Sequence, residues 1–147
     1  MTRKPRVFLD TNTLVSGIVF AGNERKLLDA IIDGKIEWVL STNVTDEANA
    51  VLEKKFPKHA VLFTLFLNLV RHEKTPKSKY KNSVKQYSKL VNKKDAPILA
   101  AAIEGNVDYL ITGDKKLRDL KQVKNTKIIR TRKLLKLEKL AEESANE

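Results

Sequence analysis

The chain has 147 residues, with 29 Lys and Arg against 18 Asp and Glu for a net charge of +11, and no cysteine. The missing cysteines exclude disulfides and thiolate metal sites. The longest apolar stretch, AVLFTLFLNLV at residues 60–70, is too short to span a bilayer. The start MTRKPRVFLD has no signal-peptide segment, so the expectation is a soluble, cytoplasmic protein.

A chain this long reads as a single domain, residues 1–147, able to bury roughly 70% of its unfolded surface. Its charge is uneven: residues 1–73 carry +1 and residues 74–147 carry +10. A field of that sign attracts polyanions, nucleic acid first among them.

Residues 7–9 of VFLDTNTLVSG read as a buried strand, and Asp10 follows at once. Residues 11–20 read as a helix ending near Gly22, and NERKLLDAIIDG (23–34) as a second helix. IEWVLS (36–41) is strand-like, and NVTDEANAVLEKKF (43–56) is a helix with polar caps. After Pro57, residues 59–70 form a helix apolar nearly all round, which belongs in a core or at an oligomer interface.

Residues 74–94 hold eight lysines and no acid, yet Tyr80, Val84, Tyr87 and Val91 recur at helical spacing. The pattern predicts a helix over 78–91 that carries Lys81, Lys85 and Lys89 as one stripe. DAPILAAAIEGN (95–106) is a short helix with Pro97 in its first turn. DYLIT is a strand, GDKKLRDL a turn and short helix, TKIIRT the last strand, and RKLLKLEKLAEE (132–143) an amphipathic helix. Residues 142–147 are expected to fray.

This alternation argues an α/β fold: a three-layer α/β/α sandwich around a mainly parallel sheet. Sites in such sheets form beyond the carboxyl ends of the strands. Asp10 and Asp114 each follow a strand there, and Glu47 and Asp95 sit near the starts of helices. Each acid also has a plain structural explanation. Asp10 and Asp95 suit helix caps, Asp46 and Glu47 complement a helix dipole, and Asp114 suits a turn.

If all four face one edge, either some of them protonate or a cation binds. Two unit charges about 4 Å apart repel by about 4 kcal/mol at an effective dielectric of 20. All-oxygen ligation suits Mg²⁺ or Mn²⁺. His59 and His72 lie far from these positions in sequence and read as ordinary packing or surface residues.

VFLDTNTLVSGIVFAG, STNVTDEANAVLEKKF, KKDAPILAAAI and DYLITGDKKL, in that order, resemble the successive motifs of PIN-domain nucleases, including VapC-like toxins. The resemblance runs from about residue 6 to about residue 135. It places the family's acidic residues on Asp10, Glu47, Asp95 and Asp114, its small polar residue on Asn12, and its Ser or Thr before the last Gly-Asp on Thr112. It implies metal-dependent hydrolysis of RNA, with Asp10, Asp95 and Asp114 holding Mg²⁺ or Mn²⁺ and Glu47 orienting or deprotonating the water or holding a second metal. Asn12 and Thr112 would hydrogen-bond the carboxylates.

Many members have a further acid just before the aspartate matched by Asp95. Here those positions are Asn92, Lys93 and Lys94, which leaves a second metal fewer ligands. Lys81, Lys85, Lys89, Lys115, Lys116 and Arg118 are candidate RNA contacts. The implied partners are RNA, a second copy in a homodimer, and a cognate antitoxin. Two rival readings remain. A non-catalytic RNA-binding PIN-like domain would keep the fold without the chemistry. A phosphoacceptor domain also places an aspartate after its first strand, but the phosphatase pattern wants a second aspartate where this chain has Asn12.

Overall fold

The computed structural model describes residues 3–140. The chain runs β1 (Arg6–Leu9), α1 (Thr11–Val19), α2 (Asn23–Ile32), β2 (Glu37–Ser41), α3 (Thr42–Lys55), α4 (Pro57–Leu69), β3 (Glu73–Thr75), α5 (Lys77–Tyr80), a 3₁₀ turn (Lys81–Ser83), α6 (Val84–Tyr87), α7 (Ala96–Glu104), β4 (Tyr109–Ile111), α8 (Lys115–Arg118), β5 (Gln122–Val123), β6 (Thr126–Ile129) and α9 (Thr131–Leu137). The six strands form one sheet in the order β3-β2-β1-β4-β6-β5. All pairings are parallel except β5 with β6. The expected α/β architecture with a mainly parallel sheet is present.

That order fixes where a site can form. The chain steps outward from β1 to β2 to β3, then returns past β1 to β4. Right-handed crossovers therefore put α1–α4 on one face and α5–α7 on the other. Contacts agree: α1 packs on α2 and α3, α3 on α4, and α7 on α5 and α6. The reversal falls between β1 and β4, so a crevice opens beyond their carboxyl ends.

Val7, Phe8 and Leu9 are fully buried, as strands covered on both faces require. Opposite them α7 buries Leu99 and the run Ala100, Ala101 and Ala102. Small residues let this helix approach closely, and a Cβ on Gly105 would stand 2.9 Å from Val39 Cγ1. Gly17 serves the α1–α2 contact in the same way, since a Cβ there would stand 2.8 Å from Leu28 Cδ1.

Two expectations need correction. The helix predicted over 78–91 is broken into α5, the 3₁₀ turn and α6, and the chain turns after Tyr87. The apolar side packs as the pattern required: Tyr80 and Tyr87 are buried and Val84 and Val91 half-buried. Two tethers hold the pieces at separate points. Asn43 N–H donates to Tyr80 Oη at 3.1 Å, and Ser83 Oγ donates to Glu104 at 2.8 Å. With no acid in the segment to offset lysine repulsion, a continuous helix gains little.

Within the described residues the last helix ends at Leu137, ahead of Lys139, which turns left-handed at φ 55°, and the rest of its predicted span, 141–143, lies outside them. The expected frayed tail, 142–147, lies outside the described residues. Of the two places expected for α4, core or oligomer interface, the core is not the one it takes. Only Phe63 on it is fully buried, and Val61, Leu62, Leu65 and Leu69 are exposed. Among the described residues no helix is long and apolar enough to cross a membrane.

Candidate active site

Asp10 leaves the end of β1 in extended conformation and caps α1. Its Oδ1 accepts from Thr13 N–H at 2.9 Å. Its backbone N–H continues the ladder to Ile111 O at 3.1 Å, which locks the first aspartate beside the end of β4. There Thr112 hydroxyl donates to Asp10 Oδ2 at 2.5 Å and accepts from Asp114 N–H at 3.0 Å. One hydroxyl thus joins a carboxylate on one strand to the loop after its neighbour. Asp114 Oδ1 accepts from Lys116 N–H at 2.8 Å and caps α8.

Asp95 arrives from the other face at the start of α7. It occupies the cap position, but its side chain makes no capping hydrogen bond. Burial pushes its carboxyl above the usual range. The charge of Asp114, a hydrogen bond to Asp114 and the charge of Asp10 push it further, against a smaller opposing effect of Lys94. Asp10 is also raised, first by burial. The hydrogen bonds from Thr112 and Thr13 pull it back, and the Asp114 charge raises it again. Asp10, Asp95 and Asp114 therefore sit in one another's fields.

Glu47 joins through α3. Its Oε2 accepts from Thr11 hydroxyl at 3.2 Å and its Oε1 from Asn43 Nδ2 at 3.0 Å. Thr11 is the neighbour of Asp10, so this bond ties Glu47 to the residue after the first aspartate. Asn12 is exposed on the first turn of α1, with no hydrogen bond to any of the acids. The polar group expected from Asn12 is supplied instead by Thr11 and by the backbone of Thr13. Asn43 was missed, although its position four residues before Glu47 on a helix is the spacing at which such side chains meet.

Among the described residues no three His, Asp or Glu side chains close into a ready-made metal shell. Asp10, Asp114 and Glu47 already accept hydrogen bonds from protein donors. The donor set nevertheless suits a hard divalent cation. All the donors are oxygens, and none of the four acids is in an ion pair among the described residues. A bound cation would relieve the mutual repulsion at Asp95 and Asp10, as would a shared proton.

The basic candidates divide. Lys77 and Lys81 line a 330 Å³ cavity with Thr42, Asn43, Asp46 and Tyr80, and Asn43 in turn holds Glu47. Lys85 and Lys89 are exposed on later turns and no longer share one ridge with Lys81. Lys115 pairs with Asp119 at 3.2 Å, and Lys116 is exposed. Arg118 folds back so that Nη2 lies 3.5 Å from Gly113 O.

Fold and site define a class: an α/β domain that gathers carboxylates at the switch point of a parallel sheet. Residues 6–116 match the PIN domain, and the chain belongs to that family. The family is one of nucleases, which makes the chain, in coarse terms, a hydrolase. Among solved structures, a chain in the crystal structure of VapBC2 from Rickettsia felis bound to a DNA fragment from their promoter is similar in fold. It has a TM-score of 0.61 and 18% identity, over 84% of this chain and 96% of that one. No curated protein matches in sequence.

Proposed function

We propose that the protein is a divalent-metal-dependent endoribonuclease. The observation that carries this reading is the buried Asp10 carboxylate, fixed by Thr112 and facing the uncompensated charges of Asp95 and Asp114. Asp10, Asp95 and Asp114 would hold Mg²⁺ or Mn²⁺. When bound, such an ion lowers the pKa of a coordinated water and neutralises charge that grows on the phosphate. Glu47, clamped by Thr11 and Asn43, accepts the proton of the attacking water at a carboxylate oxygen. Thr112 holds Asp10 in the one orientation that leaves the Asp114 backbone also satisfied. Lys77 and Lys81, in the cavity with Asn43, attract the RNA backbone.

The likeness to a chain of a VapBC complex favours a toxin role with a cognate antitoxin as partner. The exposed Val61, Leu62, Leu65 and Leu69 on α4 favour a homodimer. Cleavage of defined RNAs with Mg²⁺, with Mn²⁺ and with chelator tests the reading, alongside Asp10→Asn. Cleavage that survives chelation, or that Asp10→Asn leaves intact, overturns it. A second reading, a non-catalytic RNA-binding domain, is favoured by one observation: Asp10, Glu47 and Asp114 already accept hydrogen bonds within the protein. RNA binding without cleavage in any metal selects it.

A further inference from the structure

A groove of 600 Å³ runs along the outer edge of the sheet, lined by Arg118, Lys121, Lys127, Arg130 and Lys133 together with Gln122 and the strand β6. It carries five cations and no carboxylate. None of the five makes an ion pair among the described residues. Its inner end lies at the carboxyl end of β6, beside the β4 end that carries Thr112. Ile129 O accepts from Thr112 N–H at 3.0 Å, Arg130 follows Ile129, and Arg118 reaches toward Gly113 O. The Nε of Arg118 is buried there without a hydrogen-bond partner.

The outer end is shaped by Lys121, which holds a left-handed φ of 63° although it has a side chain. Its carbonyl accepts from Ile128 N–H at 2.9 Å. Such a conformation costs about 1–2 kcal/mol for a residue with a Cβ. From Lys127 to Arg130 the floor spans about 10 Å at about 3.3 Å per residue.

We propose that this groove is the track of the RNA strand beyond the scissile phosphate, a backbone-binding subsite for single-stranded RNA; it rests on the nuclease reading above. A protein partner needs buried apolar anchors, and the groove offers few. Ile128 and Ile129 on its floor are 3% and 7% exposed. A polyanion needs only positive charge in a row, and the groove supplies it. Arg118, with an unused donor, stands at the junction, where the strand would leave the carboxylates. Phosphate contacts position a strand without reading its bases, so the subsite adds affinity and not sequence preference.

The test uses the full chain with Asp10→Asn, so that RNA stays intact, and with Lys127→Gln, Arg130→Gln and Lys133→Gln added. All three groove residues are exposed, so the fold should persist, and a matched thermal melt checks that. Binding of a labelled single-stranded RNA is followed by anisotropy across a salt series. Each lost contact lowers the slope of log K against log salt by about 0.7, so the triple change should flatten it by about 2. At 0.1 M salt that is about a hundredfold weaker binding.

An unchanged slope and affinity overturn the track. So does polyglutamate competing as well as RNA at equal charge, since the groove would then take any acidic polymer. Metal-dependent cleavage by the wild type, assayed separately, decides the nuclease reading. A flattened slope without cleavage keeps the groove and sinks the nuclease. Cleavage with an unchanged slope does the reverse.

Discussion

Asp10 accepts two hydrogen bonds and still has its carboxyl raised, because burial outweighs both donors. Such a group holds its proton more tightly in the folded chain than in the unfolded one. Its charge therefore costs stability above the folded pKa. That cost disappears as pH falls below the ordinary carboxylate value of about 3.9. Asp10→Asn in chelated protein should accordingly raise the melting temperature at neutral pH, with the advantage over wild type shrinking as pH falls into the carboxylate range. Thermal melts of both proteins across pH check this, and a constant difference would contradict it. The same change should lower RNA cleavage on the order of a hundredfold or more, as loss of a group that organises transition-state charge does.

Thr112 gives a cleaner separation of position from charge. Thr112→Val leaves one oxygen of buried Asp10 without its donor and Asp114 N–H without its acceptor. The loss should cost about 1–3 kcal/mol in stability. Cleavage should fall in kcat more than in KM, and Thr112→Ser should restore most of both. Loss of stability without a kcat effect would make Thr112 a structural link only.

The lysine-rich segment shows how far an element can be read from its pattern. Its buried face was legible, because Tyr80, Val84, Tyr87 and Val91 bury themselves wherever the backbone bends. Its continuity was not, because the break depends on Asn43 and Glu104, which belong to α3 and α7. β3 and β5 were illegible for a related reason. At three and two residues they have too few positions to show an alternation, and pairing with β2 and β6 defines them.

At the site, the acids were legible from their places at strand ends and helix starts. The caps on Asp10 and Asp114 are real, yet Asp95 at a cap position leaves the cap unmade, and that carboxyl faces its neighbours instead. The donors that orient the acids depend on rotamers, so Asn12 was favoured over Thr11 and Asn43 was overlooked. Changing Lys81, Lys85 and Lys89 together to Gln tests the segment in an Asp10→Asn background. If Lys81 alone reaches RNA, as its cavity beside Asn43 suggests, the salt slope should fall by about 0.7 and not by three times that. Anisotropy across a salt series distinguishes the two.

At the scale of the whole molecule, the topology brings together residues that are remote along the chain. Asp10 and Thr112 are separated by about a hundred positions yet share a hydrogen bond, because β1 and β4 are neighbours at the point where the strand order reverses. The site therefore exists only in the folded domain, and a cation held there binds the native state alone. Such binding stabilises by mass action, by about 2.7 kcal/mol at a hundred times Kd. For a domain of this size each kcal/mol moves the midpoint by about 2–4 °C, so saturating Mg²⁺ or Mn²⁺ should raise the melting temperature by about 5–10 °C. The unfolded chain, with its acids dispersed and a net charge of +11, should hold a divalent cation poorly. Asp10→Asn and Asp114→Asn should each blunt the rise, while Lys81→Gln should leave it intact. Calorimetry with each metal titrated into chelator-treated protein reads this directly. A midpoint indifferent to both ions at millimolar levels would mean that the carboxylates tolerate one another by sharing protons, and the metal-dependent mechanism would fall with it.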